Sequence, residues 1–183
     1  MNKKLVIIFL VFVSNYICSQ TVLNSEKFRI YPSTVTQTEP VATAHPVNPQ
    51  ILFASAVTLN LSNAFKSEGV YVSTDGGLTW SGSDTCKGNL IYNHGGDPGV
   101  IVTESGRFII SHIGDIFPGV YTHFSTNQGN TWSNAFTVTD APTGDKGTIA
   151  IDNSNQSSFK GRIYLAMKVK HGAHQKLSIP IRR

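Results

Sequence analysis

Three acidic residues recur at the start of segments that predict β-strands. Glu39, Asp97 and Asp145 lie 58 and 48 residues apart, and each is followed by a short segment rich in β-branched residues. If these segments are equivalent strands of a repeat, the three carboxylates surround one opening. Carboxylates gathered in this way bind a cation or accept hydrogen bonds from sugar hydroxyls or a partner protein. Turn chemistry is the alternative, because Glu-Pro and Asp-Pro pairs often start a strand. His94 falls beside the same opening.

A second set of polar residues predicts two tight turns. The segments S-T-D-G-G-L-T-W and S-T-N-Q-G-N-T-W start 52 residues apart, and each follows a Gly-Val-Tyr run. Asp or Asn can hydrogen-bond backbone amides two residues on, glycine supplies positive φ, and the indole ring packs back onto the sheet. Each copy therefore predicts a strand, a turn and a strand. The turn residues are Ser73, Asp75, Gly77, Thr79 and Trp80, and Ser125, Asn127, Gly129, Thr131 and Trp132.

This S-x-D-x-G-x-T-W pattern resembles the Asp-box, or BNR repeat, of sialidases and related β-propellers. The resemblance covers roughly residues 28–166. The run Phe28-Arg29-Ile30-Tyr31-Pro32 is similar to the F-R-I-P motif of sialidases, in which the arginine grips the carboxylate of sialic acid. Tyr31 interrupts the motif here, and an ordinary edge strand with an exposed Arg29 is the alternative. The Asp-box itself builds a hairpin and carries no activity.

The resemblance does not supply a catalytic set. Sialidases use an Arg triad, an Asp acid/base and a Tyr–Glu nucleophile pair, and the Asp falls between the F-R-I-P motif and the first Asp-box. Residues 30–73 contain no Asp, and Glu39 and Glu68 are the only acidic residues there. The catalytic residues therefore stay unknown. Arg29, Glu39, Asp97 and Asp145 are the candidate substrate-binding residues.

The elements that must position these residues are short strands with turn signals between them. Their spacing predicts an all-β fold, an incomplete β-propeller of about two and a half four-stranded blades. We expect a signal peptide over residues 1–19, an extended leader over 20–38, the partial propeller over 39–166 and an unstructured basic tail over 167–183. The third unit has no Asp-box, and we expect the chain to be a partial version of a longer propeller whose isolated form associates or is poorly stable.

The N-terminus predicts export. A basic start precedes the apolar run of residues 5–13, and a small residue follows at Ser19, which is the layout of a signal peptide cleaved before Gln20. The run is too short to span a membrane. Lipidation of Cys18 is the alternative. Removal of residues 1–19 leaves Cys86 as the only cysteine, so no intrachain disulfide or cysteine metal site can form.

Charge gives no indication of nucleic-acid binding. Residues 20–167 hold eight basic and eleven acidic residues, a net charge of −3, and the overall +4 comes from the two ends. His171 and His174 have no carboxylate nearby and do not predict a metal site, and we expect no cofactor. The sequence thus predicts a secreted or periplasmic protein that acts on extracellular glycans. Two classes stay open: an exo-α-sialidase-type glycoside hydrolase, active only in a longer form, and a non-catalytic propeller that binds a glycan or a cell-surface protein.

Overall fold

The chain forms three antiparallel sheets that follow one another in sequence. A computed structural model describes residues 27–86, 94–140, 144–169 and 174–179. The strands are β1 (Thr36–Ala44), β2 (Leu52–Asn60), β3 (Phe65–Ser73), β4 (Ser81–Ser83), β5 (His94–Val102), β6 (Phe108–Gly114), β7 (Val120–Ser125), β8 (Phe136–Thr139), β9 (Gly144–Ile151), β10 (Ile163–Val169) and β11 (His174–Ile179).

Each sheet is a meander in which every strand pairs with the next. The first sheet has the order β1-β2-β3-β4, the second β5-β6-β7-β8 and the third β9-β10-β11. The described residues contain no α-helix; a single 3-10 turn (Leu61–Asn63) links β2 to β3. The predicted all-β class is confirmed. None of the three sheets closes on itself.

The sheets stack in chain order because their middle strands are apolar on both faces. Phe53, Val70 and Val72 of the first sheet pack against Val102, Phe108 and Ile110 of the second. The opposite face of the second sheet packs through Ile101 and Ile109 on Ile149 and Ile163 of the third sheet. The first strands β1, β5 and β9 are neighbours in this stack.

The leader covers the outer face of the first sheet. Ile30 and Tyr31 pack against Ala54, Ala56 and Tyr71, and the rings of Tyr31 and Tyr71 are 5.0 Å apart. The Tyr71 hydroxyl donates to Asp84 Oδ1 at 2.8 Å and accepts from the Gln37 amide at 2.6 Å. The residues before β1 are therefore part of the packed structure.

The third sheet differs from the sequence prediction at its end. We expected residues 167–183 to form an unstructured tail, but β10 continues to Val169 and pairs with β11 from Ile163↔Ile179 to Lys168↔His174. That prediction was wrong because it relied on the basic composition of the segment. A β-ladder is made by backbone groups and tolerates charged side chains on an exposed face.

The predicted signal peptide, with Cys18 and Ser19, lies outside the described residues. Within the described part of the chain, no helix has the length and apolar character needed to cross a membrane.

Candidate functional site

The two Asp-box turns form nearly identical hydrogen-bond networks. In the first, Ser73 Oγ accepts from Gly77 N at 2.8 Å and donates to Asp75 Oδ1 at 2.8 Å, and Asp75 Oδ1 accepts from Thr79 N at 2.9 Å. The Trp80 indole N–H donates to Gly77 O at 3.1 Å. Gly77 has φ 96°, which favours glycine.

The second turn repeats these bonds with an amide in place of the carboxylate. Ser125 Oγ accepts from Gly129 N at 2.9 Å, Asn127 Oδ1 accepts from Thr131 N at 3.0 Å, and Trp132 Nε1 donates to Gly129 O at 3.1 Å. The sequence predicted that Asp or Asn would bind amides two residues on. In both turns the serine hydroxyl takes the nearer amides, and the Asp or Asn side chain reaches the threonine four residues on.

The two tryptophans pack against opposite faces of the first sheet. Trp132, from the second turn, packs against Phe53 of the first sheet with ring centroids 5.6 Å apart. Trp80, from the first turn, packs on the face that the leader covers. Trp132 therefore packs in the gap between the first two sheets, whereas Trp80 helps to cover the outer face of its own sheet.

The strand registers correct the alignment of the two repeats. In the first sheet Tyr71, two residues before the Asp-box serine, pairs with Ala54. In the second sheet His123, also two residues before the Asp-box serine, pairs with Ile110. Tyr71 is thus equivalent to His123, and the two Gly-Val-Tyr runs are offset by two residues. The tyrosine that ties the leader to the first sheet has a histidine as its counterpart.

The carboxylates predicted to surround an opening are only partly equivalent. Glu39 and Asp97 lie in matching β-bulges, with φ of 51° and 53°, where each precedes a proline. Glu39 Oε2 accepts from the backbone N–H of Asp97 at 2.9 Å, so this carboxylate ties β1 to β5.

The third carboxylate is displaced by one residue. In β9 the bulge contains Lys146 and Gly147, and Asp145 sits in the regular ladder opposite Lys168. The sequence alignment of Asp145 with Glu39 and Asp97 was therefore wrong. The error arose because strand starts were aligned by residue type, whereas the bulge fixes the structural equivalence.

Arg29 lies in the exposed part of the leader. Its Nη1 donates a long bond of 3.5 Å to Ser33 O within the same segment. The neighbouring Ile30 and Tyr31 direct this segment onto the outer face of the first sheet, whereas Glu39 and Asp97 meet at the contact of β1 with β5.

A cleft of about 390 Å³ separates the second sheet from the third. Its walls include Ile109, Thr122 and Phe124, which are equivalent in register to Phe53, Val70 and Val72 of the first sheet. In the gap between the first two sheets, Trp132 packs against those positions and leaves a smaller cleft of about 270 Å³ beside Val70 and Val72. The larger cleft is thus the counterpart of a site that holds a flat aromatic ring.

The cleft also carries a cation and an exposed ring. The Arg107 guanidinium lies over the Phe124 ring, 5.0 Å from its centroid, and Phe136, which is 53% exposed, stacks on Phe124 with centroids 5.8 Å apart. Among the described residues, no carboxylate pairs with Arg107.

Four buried ionisable side chains meet between the first and second sheets. Glu68 comes from β3, His94 from β5, His112 from β6 and His123 from β7, and each is at most 1% exposed. The rings of His94 and His112 stack with centroids 4.1 Å apart. One candidate metal-ligand atom from each of the three histidines lies within 4.8 Å of the other two.

The contacts of these side chains are specific. His112 Nδ1 lies 2.8 Å from Ile113 O, His123 Nδ1 lies 3.0 Å from Ser133 O, and the two Nε2 atoms are 3.1 Å apart. Glu68 Oε1 accepts from Gly96 N at 2.9 Å, and Glu68 Oε2 is in direct contact with His94 Nδ1. His94 Nε2 is buried and has no hydrogen-bond partner.

Burial decides the charge of the cluster. Desolvation lowers the pKa of each of the three histidines to about 4, and it raises the pKa of Glu68 to about 7. The three imidazoles are therefore neutral near pH 7, which is the form that binds metal ions. Burial of Cys86, together with the charge of the nearby Glu68, raises the pKa of the Cys86 thiol.

Sequence reasoning missed this cluster because its histidines follow no known metal-ligand spacing. The available signal was that His112 and His123 interrupt otherwise apolar strands and that hairpin pairing puts their positions on one face. His171 lies outside the described residues, and of His174 the structure describes the backbone alone.

Comparison with known proteins leaves the family open. No protein-family model matches the chain, and no curated protein matches it.

Proposed function

We propose that the chain is an exported, non-catalytic module of the Asp-box propeller type that binds an acidic carbohydrate outside the cell. The two bonded Asp-box turns and the neighbouring first strands β1, β5 and β9 support the propeller type. The signal-peptide layout of residues 1–19 supports export.

The cleft between the second and third sheets is the observation that carries the binding proposal. The equivalent position between the first two sheets holds the indole of Trp132, so this cleft suits another ring. The apolar face of a sugar stacks well on Phe124 and Phe136. The Arg107 guanidinium supplies the charge that a sugar carboxylate requires, and such pairs can be bidentate. Ligand sites in general are concave, mostly apolar and marked by a few polar groups.

A hydrolase of the exo-α-sialidase type is the second candidate, and Arg29 is the residue that favours it. Arg29 lies on the leader, its Nη1 bonded to Ser33 O. Residues 30–73 hold no Asp that could serve as the acid/base. Groups that act together in catalysis lose most of the rate when one is removed, so we expect no sialoside hydrolysis.

Calorimetric titration with a sialylated trisaccharide and with its neutral disaccharide core tests the proposal. The wild-type protein should prefer the acidic sugar, and Arg107→Gln should abolish that preference. Phe136→Ala should weaken binding of both sugars about tenfold, because a stacking contact of about 1.4 kcal/mol corresponds to that factor.

The chain contains a matched control pair. Arg162 lies over the Phe159 ring at 4.1 Å, and Phe159 is also exposed, but neither residue lines the cleft. Arg162→Gln and Phe159→Ala should leave both affinities unchanged. The proposal would be refuted if the wild-type protein bound neither sugar. It would also be refuted if the Arg162 and Phe159 variants lost as much affinity as the Arg107 and Phe136 variants. Release of a fluorogenic aglycone from a sialoside that disappears in Arg29→Ala would favour the hydrolase instead.

A further inference from the structure

The contacts of His112 and His123 require one more positive charge than two neutral rings contain. Both Nδ1 atoms face carbonyl oxygens, and a carbonyl can only accept, so each Nδ1 carries a proton. Each neutral ring has then used its one proton, and both Nε2 atoms present lone pairs. These lone pairs face each other at 3.1 Å in a buried site, which is repulsive unless a proton or a metal cation lies between them.

The third histidine also has an oxygen beside its Nδ1, but its proton is placed differently. His94 Nδ1 contacts Glu68 Oε2 and accepts from the Glu68 backbone N–H at 3.1 Å, so the neutral ring carries its proton on Nε2, which is buried without a hydrogen-bond partner. Transfer of this proton to Nδ1, where Glu68 Oε2 can accept it, frees the Nε2 lone pair for a metal ion. Each Nδ1 thus faces an oxygen: a backbone carbonyl for His112 and His123, and a carboxylate for His94. A metal-ligating histidine usually has its second nitrogen held in this way.

We propose that His94, His112 and His123 bind a divalent transition-metal ion through their Nε2 atoms, with Glu68 as the residue that positions His94. Imidazole ligands suit zinc, copper, iron and nickel. For zinc–nitrogen bonds of about 2.0–2.1 Å, tetrahedral ligands lie about 3.3 Å apart, close to the spacing of the His112 and His123 nitrogens.

Metal binding would rearrange one part of the cluster. The stacked rings of His94 and His112 are too close and too nearly parallel for both nitrogens to point at one ion. The ion therefore opens this stack and draws His94 Nε2 inward. All three ligands belong to the second sheet, and the contact of Glu68 with His94 connects them to the first sheet.

Titration of the full-length, chelator-treated protein with Zn²⁺ and Co²⁺ tests this proposal, which is independent of carbohydrate binding. We expect one ion per chain, the visible absorption of four-coordinate cobalt, and X-ray absorption with nitrogen or oxygen neighbours and no sulfur. Zinc at about a hundred times its dissociation constant should raise Tm by roughly 5–10 °C.

Variants assign the ligands. His112→Gln and His123→Gln should each weaken binding by about a hundredfold or more, and Glu68→Gln by roughly tenfold to a hundredfold with an altered cobalt spectrum. His45→Gln and the double variant His171→Gln/His174→Gln are controls outside the cluster, and neither should change the affinity.

A variant at one of these buried positions could fail to fold. Imidazole ¹⁵N NMR of the wild-type protein tests the same ligands without any substitution. The zinc-bound protein should show protons on Nδ1 and shifted Nε2 resonances for all three histidines. A proton on Nε2 of His112 or His123 in the presence of excess zinc would overturn the proposal. Loss of binding in the His171/His174 double variant would overturn it as well.

Discussion

The two Asp-box turns differ at one atom that matters for pH. Asp75 Oδ2 accepts from the Thr79 hydroxyl, whereas Asn127 Nδ2 donates to the Thr131 hydroxyl at 2.9 Å. The same backbone turn is therefore compatible with a charged and an uncharged side chain. Hydrogen bonds, first that from the Thr79 hydroxyl, lower the pKa of Asp75 to about 2 from its ordinary value of 3.8.

Asp75→Asn should make the first turn insensitive to acid. Because the pKa of Asp75 is lower in the folded state, its carboxylate stabilises the fold above about pH 4, and this contribution is lost as the pH falls toward 2. Thermal unfolding of the two proteins should show wild type more stable than the variant near neutral pH. The difference should shrink at about pH 2. The buried histidines titrate in both proteins and cancel in the comparison. A difference that stays constant with pH would contradict this account.

Residue types alone predicted the turns but not the histidine cluster. An Asp-box is local, so the sequence predicts that its serine, acid or amide, glycine, threonine and tryptophan act together. His94, His112 and His123 are 18 and 11 residues apart and lie on three strands. Only the register of β5 with β6 and of β6 with β7 brings them together. Strand boundaries predicted from sequence do not give that register.

At the scale of the strands, the bulges set the contact between the first two sheets. Glu39 and Asp97 both adopt left-handed backbone conformations in front of proline, which costs about 1–3 kcal/mol for a residue with a side chain. The Glu39 carboxylate, held by that conformation, reaches the Asp97 backbone N–H. The same acids that predicted an opening thus join two strands.

Glu39→Ala should weaken this joint by about 0.5–1.5 kcal/mol, the net value of one hydrogen bond, since the Asp97 N–H loses its acceptor. Glu39→Gln keeps an acceptor oxygen and should cost less. Denaturant unfolding measures both. Glu104→Ala removes a surface ion pair with Lys160 and is the matched control, expected to cost less than about 1 kcal/mol. Equal midpoints for wild type and Glu39→Ala would show that the bond contributes nothing.

The strands were more predictable than their ends. Long apolar runs such as β2 and β6 indicated buried strands because both faces of the middle strands are covered. The last strand, β11, was missed because its pairing is made by the backbone, which the basic composition of the segment does not reveal. Asp145 was aligned with Glu39 and Asp97 by residue type, whereas the backbone pairing of β9 puts Lys146 and Gly147 in the equivalent bulge.

At the scale of the whole chain, the order of the sheets makes one tryptophan decisive. Trp132 covers Phe53 in the first gap, and no described tryptophan covers the second. Trp132→Ala should therefore lower stability by about 3 kcal/mol and enlarge the cleft beside Val70 and Val72 until it resembles the one beside Arg107. Calorimetry measures the loss of stability, and increased binding of an apolar fluorescent dye measures the enlarged cleft. Trp132→Phe should restore much of the stability; an unchanged Tm in Trp132→Ala would contradict the packing.

The packing of Trp132 on the preceding sheet affects the order in which the protein can fold. A chain that crosses a membrane from its N-terminus delivers the first sheet long before Trp132, the side chain that covers Phe53 in the first gap. Until that residue emerges, the apolar face of the first sheet is exposed to whatever else is in the compartment. If the chain is exported as proposed, the first sheet is vulnerable during export for an interval that is set by the distance from β3 to Trp132. Slower translocation should prolong that interval and increase capture by chaperones or loss to proteases.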